Sequence, residues 1–276
     1  MPEASAADLW IYGLSLLGTG LIGGVLAGLL GVGGGIVIVP VLYHVFTALG
    51  IDEGVRMQIA VATSLATIIP TSFRSVHAHY KKGAVDMALL KRWARPIIAG
   101  ALIGTIIAKV IGGGGMTLIF ATVALGVASY MAFGREEWRL GDHLPGLLAQ
   151  SSIAGVTGFL STLMGIGGGT FGVTALTLYS VPIHRAVGTS AGFGLLIAIP
   201  ATLGFIVSGW DIAGRPPFSL GYVSLIGFAL IVPMTLIAVP WGAALAHRLS
   251  RTALRRAFAV FLAATSLRMF MSYFNG

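Results

Sequence analysis

Two glycine motifs have the residue types and spacing that suit anion binding. Residues 31–35 read Gly-Val-Gly-Gly-Gly and residues 165–169 read Gly-Ile-Gly-Gly-Gly, and a short apolar run follows each. Consecutive glycines expose backbone N–H groups, and the helix that follows adds partial positive charge at its N-terminus. The alternative is a tight turn or close helix packing, and the recurrence of the motif favours ligand contact. The candidate binding residues are therefore Gly33, Gly34, Gly35, Gly167, Gly168 and Gly169.

An Ala-x-x-Thr-Ser element follows each glycine motif, at residues 60–64 and 186–190. Its hydroxyls can donate hydrogen bonds to an anion at modest desolvation cost. Alternatively, Ser and Thr in membrane helices often bond the carbonyl one turn back. The sequence leaves both readings open, and the symmetric placement keeps these residues as candidates. They are Thr63, Ser64, Thr189 and Ser190.

Two ionisable residues lie near the end of the apolar run 56–79. Ionisable residues inside a membrane segment are functional candidates by default. Arg74 is expected either to attract an anionic substrate or to extend to the interface. His77 and its neighbour His79 are expected to act as interfacial caps or as proton carriers. Asp and Glu fall only in loops or at helix ends, so the sequence offers no buried carboxylate for a proton relay.

The elements that position these residues are apolar runs separated by short polar breaks. Hydrophobic residues make up 56% of the chain and charged residues 9%, whereas soluble domains carry about a quarter charged residues. This composition predicts an all-α polytopic membrane protein with roughly eight to ten membrane segments. The runs are 9–30, 36–49, 56–79, 92–111, 116–133, 147–164, 170–180, 185–208, 219–246 and 254–273.

The chain is predicted to contain two repeats, 9–134 and 147–274, joined by a polar linker at 135–146. The glycine motifs and the Thr-Ser elements recur in the same order, and Gly24 matches Gly158 as Gly104 matches Gly242. Internal repeats of this kind are typical of transporters.

Charge predicts that the two repeats are inverted. With five segments in each half, twelve basic residues fall on one side and three on the other, with two within helices. The positive-inside rule places the larger set in the cytoplasm, including the linker. Both termini are then outside. The runs 36–49 and 170–180 are too short to cross a bilayer, so each glycine motif is expected to form a broken or re-entrant segment.

Several functional classes are excluded. The chain has no cysteine, which removes thiolate chemistry. The sequence shows no catalytic constellation, phosphate loop or metal-ligand pattern, so we expect no enzyme activity, metal or cofactor. The basic residues lie in loops between apolar runs, which indicates membrane orientation rather than nucleic-acid binding. The mildly acidic N-terminus predicts a retained first helix rather than a cleaved signal peptide.

The duplicated glycine motif, the duplicated Thr-Ser element and the segment His79-Tyr-Lys-Lys-Gly83-Ala-Val-Asp86 resemble the sulfite exporter TauE/SafE family of anion permeases. The resemblance covers about residues 20–270. It implies an inner-membrane permease for sulfite, sulfonates or other small sulfur-containing organic anions. A channel-like facilitator of the same fold and a structural membrane subunit remain as alternatives. The expected partners are a small anion and the lipid bilayer, and oligomeric state, including a homo-oligomer, is left open.

Overall fold

The computed structural model describes residues 6–30, 34–134, 138–212, 214–246 and 251–275. Within these residues the chain forms nine α-helices and one two-stranded antiparallel hairpin. The elements are α1 (Ala6–Leu30), α2 (Gly35–Ala48), α3 (Glu53–Lys81), α4 (Met87–Phe133), α5 (Leu147–Leu163), α6 (Gly169–Leu178), α7 (Ile183–Ser208), β1 (Ser219–Leu220), β2 (Val223–Ser224), α8 (Leu225–Ala246) and α9 (Arg251–Asn275).

The prediction of an all-α polytopic membrane protein is confirmed. Among the described residues, six helices are long and apolar enough to cross a bilayer. Helix α4, with 47 residues, is about 70 Å long, more than twice the thickness of a hydrocarbon core. It breaks at Gly112, whose φ of 67° lies in the left-handed region that favours glycine. The two arms, 87–111 and 113–133, correspond to two of the predicted runs.

Helix α8 begins later than its apolar run predicts. The run starts at residue 219, but β1 and β2 occupy the first six residues and turn at Gly221, which has a φ of 56°. Helix α8 follows because Ser224 caps it: its Oγ accepts a hydrogen bond from the Gly227 N–H at 3.2 Å. Asp86 does the same for α4, accepting from the Leu89 N–H at 2.9 Å.

Glycines bring α1 and α8 into close contact. A Cβ added at Gly24 would lie 2.7 Å from the Thr235 carbonyl oxygen. A Cβ added at Gly242 of α8 would overlap the Val25 carbonyl oxygen of α1. Neither helix can carry a larger residue at these points without separating, which is how small residues allow membrane helices to associate.

The same contacts recur between α5 and the first arm of α4. A Cβ at Gly158 would overlap the Ile97 carbonyl oxygen, and one at Gly104 would lie 3.0 Å from the Phe159 carbonyl oxygen. Gly158 matches Gly24, and Gly104 matches Gly242. The contact between the first helix of one half and the fourth of the other therefore occurs twice, with the halves exchanged.

The two threonines of the Ala-x-x-Thr-Ser elements make a second exchanged contact. Thr63 Oγ1 of α3 accepts from the Ser224 N–H at 3.0 Å, and Thr189 Oγ1 of α7 accepts from the Asp86 N–H at 2.9 Å. Each threonine thus holds the start of a long helix in the opposite half. Two-fold related halves would produce this pattern; the inverted orientation and the repeat boundaries stay predictions.

The core is centred on α3. Every residue from Met57 to Ile68 is buried, so this stretch is surrounded by protein on all sides. Helices α2, α7 and the hairpin enclose it, and the loop that precedes α6 packs against it at Gly165. The second half of α3 has exposed residues on one face and a cavity on another.

Candidate functional site

A cavity of about 350 Å³ lies between Gly34 of the first glycine motif and residues 167–169 of the second. Five helices and the loop before α6 contribute to its wall. Polar side chains are concentrated on α3, and aliphatic side chains from α2, α3, α7 and α8 complete the lining. The polar side chains and glycines that line it are Gly34, Thr67, Thr71, Ser72, Ser75, His79, Gly167, Gly168, Gly169, Ser190 and Thr235.

The N-termini of two short helices face this cavity. Gly34 is the N-cap of α2 and Gly168 is the N-cap of α6, and neither position carries a capping side chain. The first-turn N–H groups of a helix have no partner within the helix, and they carry its positive partial charge. The structure therefore brings Gly34 together with Gly167, Gly168 and Gly169 at one place. Gly33 lies outside the described residues.

The glycines fall into two groups by the space around them. An added Cβ would lie 2.5 Å from the Gly165 carbonyl oxygen at Gly35, and it would overlap the Phe193 Cβ at Gly168. At Gly34 and Gly167 the nearest atoms are methyl groups of isoleucine side chains, at 3.1 and 3.2 Å, and the Gly23 carbonyl oxygen is also 3.2 Å from a Cβ at Gly34. Gly35 and Gly168 are thus required by close packing, whereas at Gly34 and Gly167 a Cβ fits once a neighbour shifts by a few tenths of an ångström.

The four hydroxyl candidates occupy different positions. Thr63 and Thr189 accept the exchanged backbone hydrogen bonds described above. The Ser64 Oγ donates to the Gly165 carbonyl oxygen at 2.7 Å and so fixes the glycine turn before α6. Ser190 lines the cavity, and its buried Oγ has no hydrogen-bond partner among the described residues and lies beside Gly172 of α6, 2.8 Å from a Cβ added there. Of the four, only Ser190 is among the residues that line the cavity.

A polar stripe on α3 forms one wall of the cavity, and sequence reasoning missed it. Thr67, Thr71, Ser75 and His79 follow one another at intervals of four residues, so they share a face of the helix. This four-residue spacing is the sequence signal from which the stripe could have been predicted. The Thr71 Oγ1 donates to the Thr67 carbonyl oxygen at 2.9 Å, and the Thr67 Oγ1 donates to the Ser64 carbonyl oxygen at 2.7 Å. These hydroxyls, having used their protons, present only oxygen lone pairs to a ligand.

Arg74 and His77 do not line the cavity. Both are exposed, and the ring of His77 stacks on Phe73 with centroids 6.5 Å apart. For His77 the reason is helical phase: at about 100° per residue it lies about 160° from both Ser75 and His79. Arg74 lies about 60° from Thr71 and about 100° from Ser75, at the flank of the stripe, and its side chain is exposed outside the cavity lining. The ionisable residue that the structure places on the cavity wall is His79 instead.

Helix α7 carries buried apolar residues at the positions equivalent to the α3 stripe. On α7, the positions that follow Ser190 at the intervals of the α3 stripe hold Phe193, Ile197 and Ala201, all fully buried. Phe193 stacks on Trp93 of α4 with ring centroids 5.2 Å apart. The stripe is thus polar and lines a cavity on α3, while its counterpart on α7 is apolar and packed.

Comparison with known proteins identifies relatives along nearly the whole chain. The model of the family described as "Sulfite exporter TauE/SafE" matches residues 16–269, which confirms the resemblance found in the sequence. A "Probable membrane transporter protein" of Haemophilus influenzae is 32% identical over 270 residues, covering 95% of this chain and all of the relative. A protein with the same description in Methanocaldococcus jannaschii is 27% identical, covering 82% of this chain and 80% of its own. YunE of Bacillus subtilis, also described as a "Probable membrane transporter protein", is 29% identical over 209 residues, covering 69% of this chain and 77% of its own.

Proposed function

Since the chain belongs to the sulfite exporter TauE/SafE family of membrane transporters, we propose that its substrates are small sulfur oxyanions. Sulfite, sulfonates and related sulfur-containing organic acids form this class. The observation that carries the proposal is Ser190, which lines the cavity that two helix N-termini face and whose buried Oγ has no partner among the described residues. Six other buried polar atoms in the described residues also lack a partner, but of the seven only Ser190 belongs to a residue that lines this cavity, where a ligand oxygen would satisfy it.

The geometry suits an oxyanion with several oxygens on one small centre. One oxygen would accept from the first-turn N–H groups of α2, a second from those of α6, and the third from Ser190. These are neutral donors held in place before the ligand arrives, so little ordering is needed on binding. Ligand-binding cavities commonly have volumes of about 300 Å³ or more, so this cavity accommodates a small anion with some water.

The packed stripe on α7 supports a carrier rather than a channel. A channel needs a continuous pathway, whereas here Phe193, Ile197 and Ala201, at the α7 positions equivalent to the stripe, are fully buried. Inverted halves can exchange the packing of such elements, so that the site opens to one side and then the other. We propose that α3 lines the open pathway in this structure and that α7 lines the closed one.

The open pathway is proposed to face the cytoplasm. The cavity reaches His79, next to Lys81 and Lys82 at the end of α3. This end belongs to the larger set of basic residues, which the positive-inside rule assigns to the cytoplasm. In the proposed topology the protein lies in the cell inner membrane with both termini outside. A cytoplasm-facing site is what an exporter presents to its substrate before transport.

Counterflow in proteoliposomes tests the proposal. The purified chain is reconstituted into vesicles loaded with unlabelled sulfite, and uptake of labelled sulfite is followed. A carrier gives saturable uptake that the internal sulfite accelerates. Uptake that is linear in concentration and indifferent to internal sulfite would indicate the channel alternative. Absence of any flux of sulfite or of a sulfonate, with folded protein in the vesicles, would contradict the transport of sulfur oxyanions.

A further inference from the structure

We propose that the central site selects anions with a single negative charge over those with two. This inference rests on the proposed function and concerns the same site. It names the transported species more narrowly: hydrogen sulfite or a sulfonate group, rather than doubly charged sulfite or sulfate.

The first step is the absence of a full positive charge at the glycine motifs. Among the described residues that line the cavity there is no Lys or Arg, and His79 is the one titratable side chain. The glycine turn before α6 meets α3 at Ile68, which lies 3.2 Å from a Cβ added at Gly167. His79 is about 16 Å further along the same helix. His79 is therefore too far away to contact an ion bound at the glycines.

The second step is the size of the charge that the site does supply. Each helix N-terminus is equivalent to roughly half a positive charge. Helices α2 and α6, with 14 and 10 residues, both direct this end at the cavity. Together they supply about one positive charge. The unpartnered Ser190 Oγ adds one neutral donor. The two helix N-termini and the Ser190 hydroxyl together balance a single negative charge.

The third step concerns the desolvation cost of a second negative charge and the groups that this charge would contact. The solvation energy that an ion loses on burial grows with the square of its charge, so a dianion loses about four times as much as a monoanion of the same size. On the α3 side, two of the four lining hydroxyls, those of Thr67 and Thr71, have donated their protons to backbone carbonyl oxygens. Their lone pairs repel a charged oxygen, but they accept a hydrogen bond from a protonated oxygen and tolerate a methyl group.

Three nearly isosteric compounds test the inference on the wild-type protein. Dimethyl sulfone is neutral, methanesulfonate carries one negative charge and sulfate carries two. Binding of each to the detergent-solubilised chain is measured by titration calorimetry and by the shift in Tm. We expect methanesulfonate to bind at least about 100-fold more tightly than sulfate, because one uncompensated charge beside a buried ion outweighs that ratio. Dimethyl sulfone is expected not to bind.

The outcomes separate this inference from the proposed function. Sulfate binding as tightly as methanesulfonate would leave the anion site standing and overturn its charge selectivity. Dimethyl sulfone binding as tightly as methanesulfonate would also overturn it, since charge would then play no part. If methanesulfonate and sulfite both fail to bind to folded protein, the proposed function fails, and this inference with it.

A variant that adds the missing charge provides a second test. Thr71→Lys introduces an ammonium group on the cavity wall, and Thr71→Gln introduces a neutral side chain of similar length. We expect Thr71→Lys to bind sulfate at least as tightly as methanesulfonate, whereas Thr71→Gln keeps the wild-type order. A folded Thr71→Lys variant that still prefers methanesulfonate about 100-fold would overturn the inference. If Thr71→Lys does not fold, the wild-type series decides the question.

Discussion

Ser64 and Ser190 occupy equivalent positions in the two halves but have different roles. Ser64 donates to the Gly165 carbonyl oxygen and holds a glycine turn in place. Ser190 is equally buried, yet its Oγ has no partner in the described part of the chain, and the residue lines the cavity. We propose that the same residue type stabilises the fold in one half and contacts the ligand in the other.

This difference predicts opposite effects for two matched substitutions. Ser190→Ala removes a donor to the anion, so we expect ligand affinity to fall by about 10- to 100-fold with the unliganded Tm nearly unchanged. Ser64→Ala leaves the Gly165 carbonyl oxygen unpaired, so it is expected to lower the free energy of unfolding by about 1–3 kcal/mol and to retain most of the affinity. Thermal melts with and without methanesulfonate measure both quantities. Equal effects of the two substitutions on affinity would contradict the assignment.

His79 and Arg74 provide a second contrast at this scale. We expect His79→Ala to raise the KM for sulfite by several-fold, because it alters the mouth of the cavity, and Arg74→Ala to leave transport unchanged, because its side chain is exposed on another face. Initial rates in proteoliposomes at several sulfite concentrations test this. A larger loss in Arg74→Ala than in His79→Ala would mean that the substrate approaches along the other face of α3.

At the scale of elements, α3 and α7 share a framework and differ in their packing. Helix α7 carries Gly192 and Gly204 where α3 carries Ala66 and Ala78. A Cβ at Gly192 would lie 2.8 Å from Leu90, and one at Gly204 would overlap Thr105, so both glycines let α7 pack closely on α4. The side chain of Trp93, which stacks on Phe193, is held by a hydrogen bond of 3.3 Å to Gln150. We propose that these contacts keep the pathway along α7 closed.

Cysteine accessibility tests which pathway is open. The chain has no cysteine, so single substitutions can be labelled without background. We expect Ser75→Cys to react with a membrane-impermeant maleimide in ligand-free protein, because Ser75 lines the open cavity, and Ile197→Cys to remain unlabelled, because Ile197 is fully buried. Mass spectrometry of the labelled protein measures both. Rapid labelling of Ile197→Cys alone would show that the structure places the opening on the wrong side.

Adding Phe193→Ala to Ile197→Cys tests the closing contact itself. Removing the ring that stacks on Trp93 should raise the labelling rate of the cysteine at 197, while Phe270→Ala, a partly buried position on α9, serves as the control. An unchanged rate in the Phe193 variant would mean that the stack does not close this pathway.

At the scale of the whole molecule, the sequence predicted the elements well because apolar length and glycine breaks are local signals. The predicted runs agree with the helices except at 219–224, where Gly221 turns the chain into a hairpin. The direction in which each side chain points was harder to predict. Arg74 and His79 are both ionisable and near one helix end, and only the packing of α3 against its neighbours decides which of them lines the cavity. Similarly, no local signal distinguishes the bonded Ser64 from the unpartnered Ser190.

Membrane orientation is a prediction for the whole molecule. We expect Lys82→Cys and His143→Cys to be labelled only from the cytoplasmic side and Asp211→Cys only from the outside; all three residues are exposed in the structure. The reason is that five segments in each half put the larger basic set inside. Labelling of intact cells with an impermeant reagent, before and after permeabilisation, measures the side. Lys82 and Asp211 on the same side would contradict the inverted arrangement.

The central claim is that a small anion binds between the two glycine motifs, and ligand-induced stabilisation tests it most directly. Gly34→Val and Gly167→Val add a side chain at the cavity where an added Cβ would lie no closer than 3.1 Å to its neighbours, whereas Gly126→Val, with no atom within 4 Å of its Cβ, is a control away from it. We predict that methanesulfonate raises the Tm of the wild-type protein and of Gly126→Val, and does not raise the Tm of folded Gly34→Val or Gly167→Val. A stabilisation of wild-type size in both cavity variants would contradict the claim, since the anion would then bind elsewhere in the molecule.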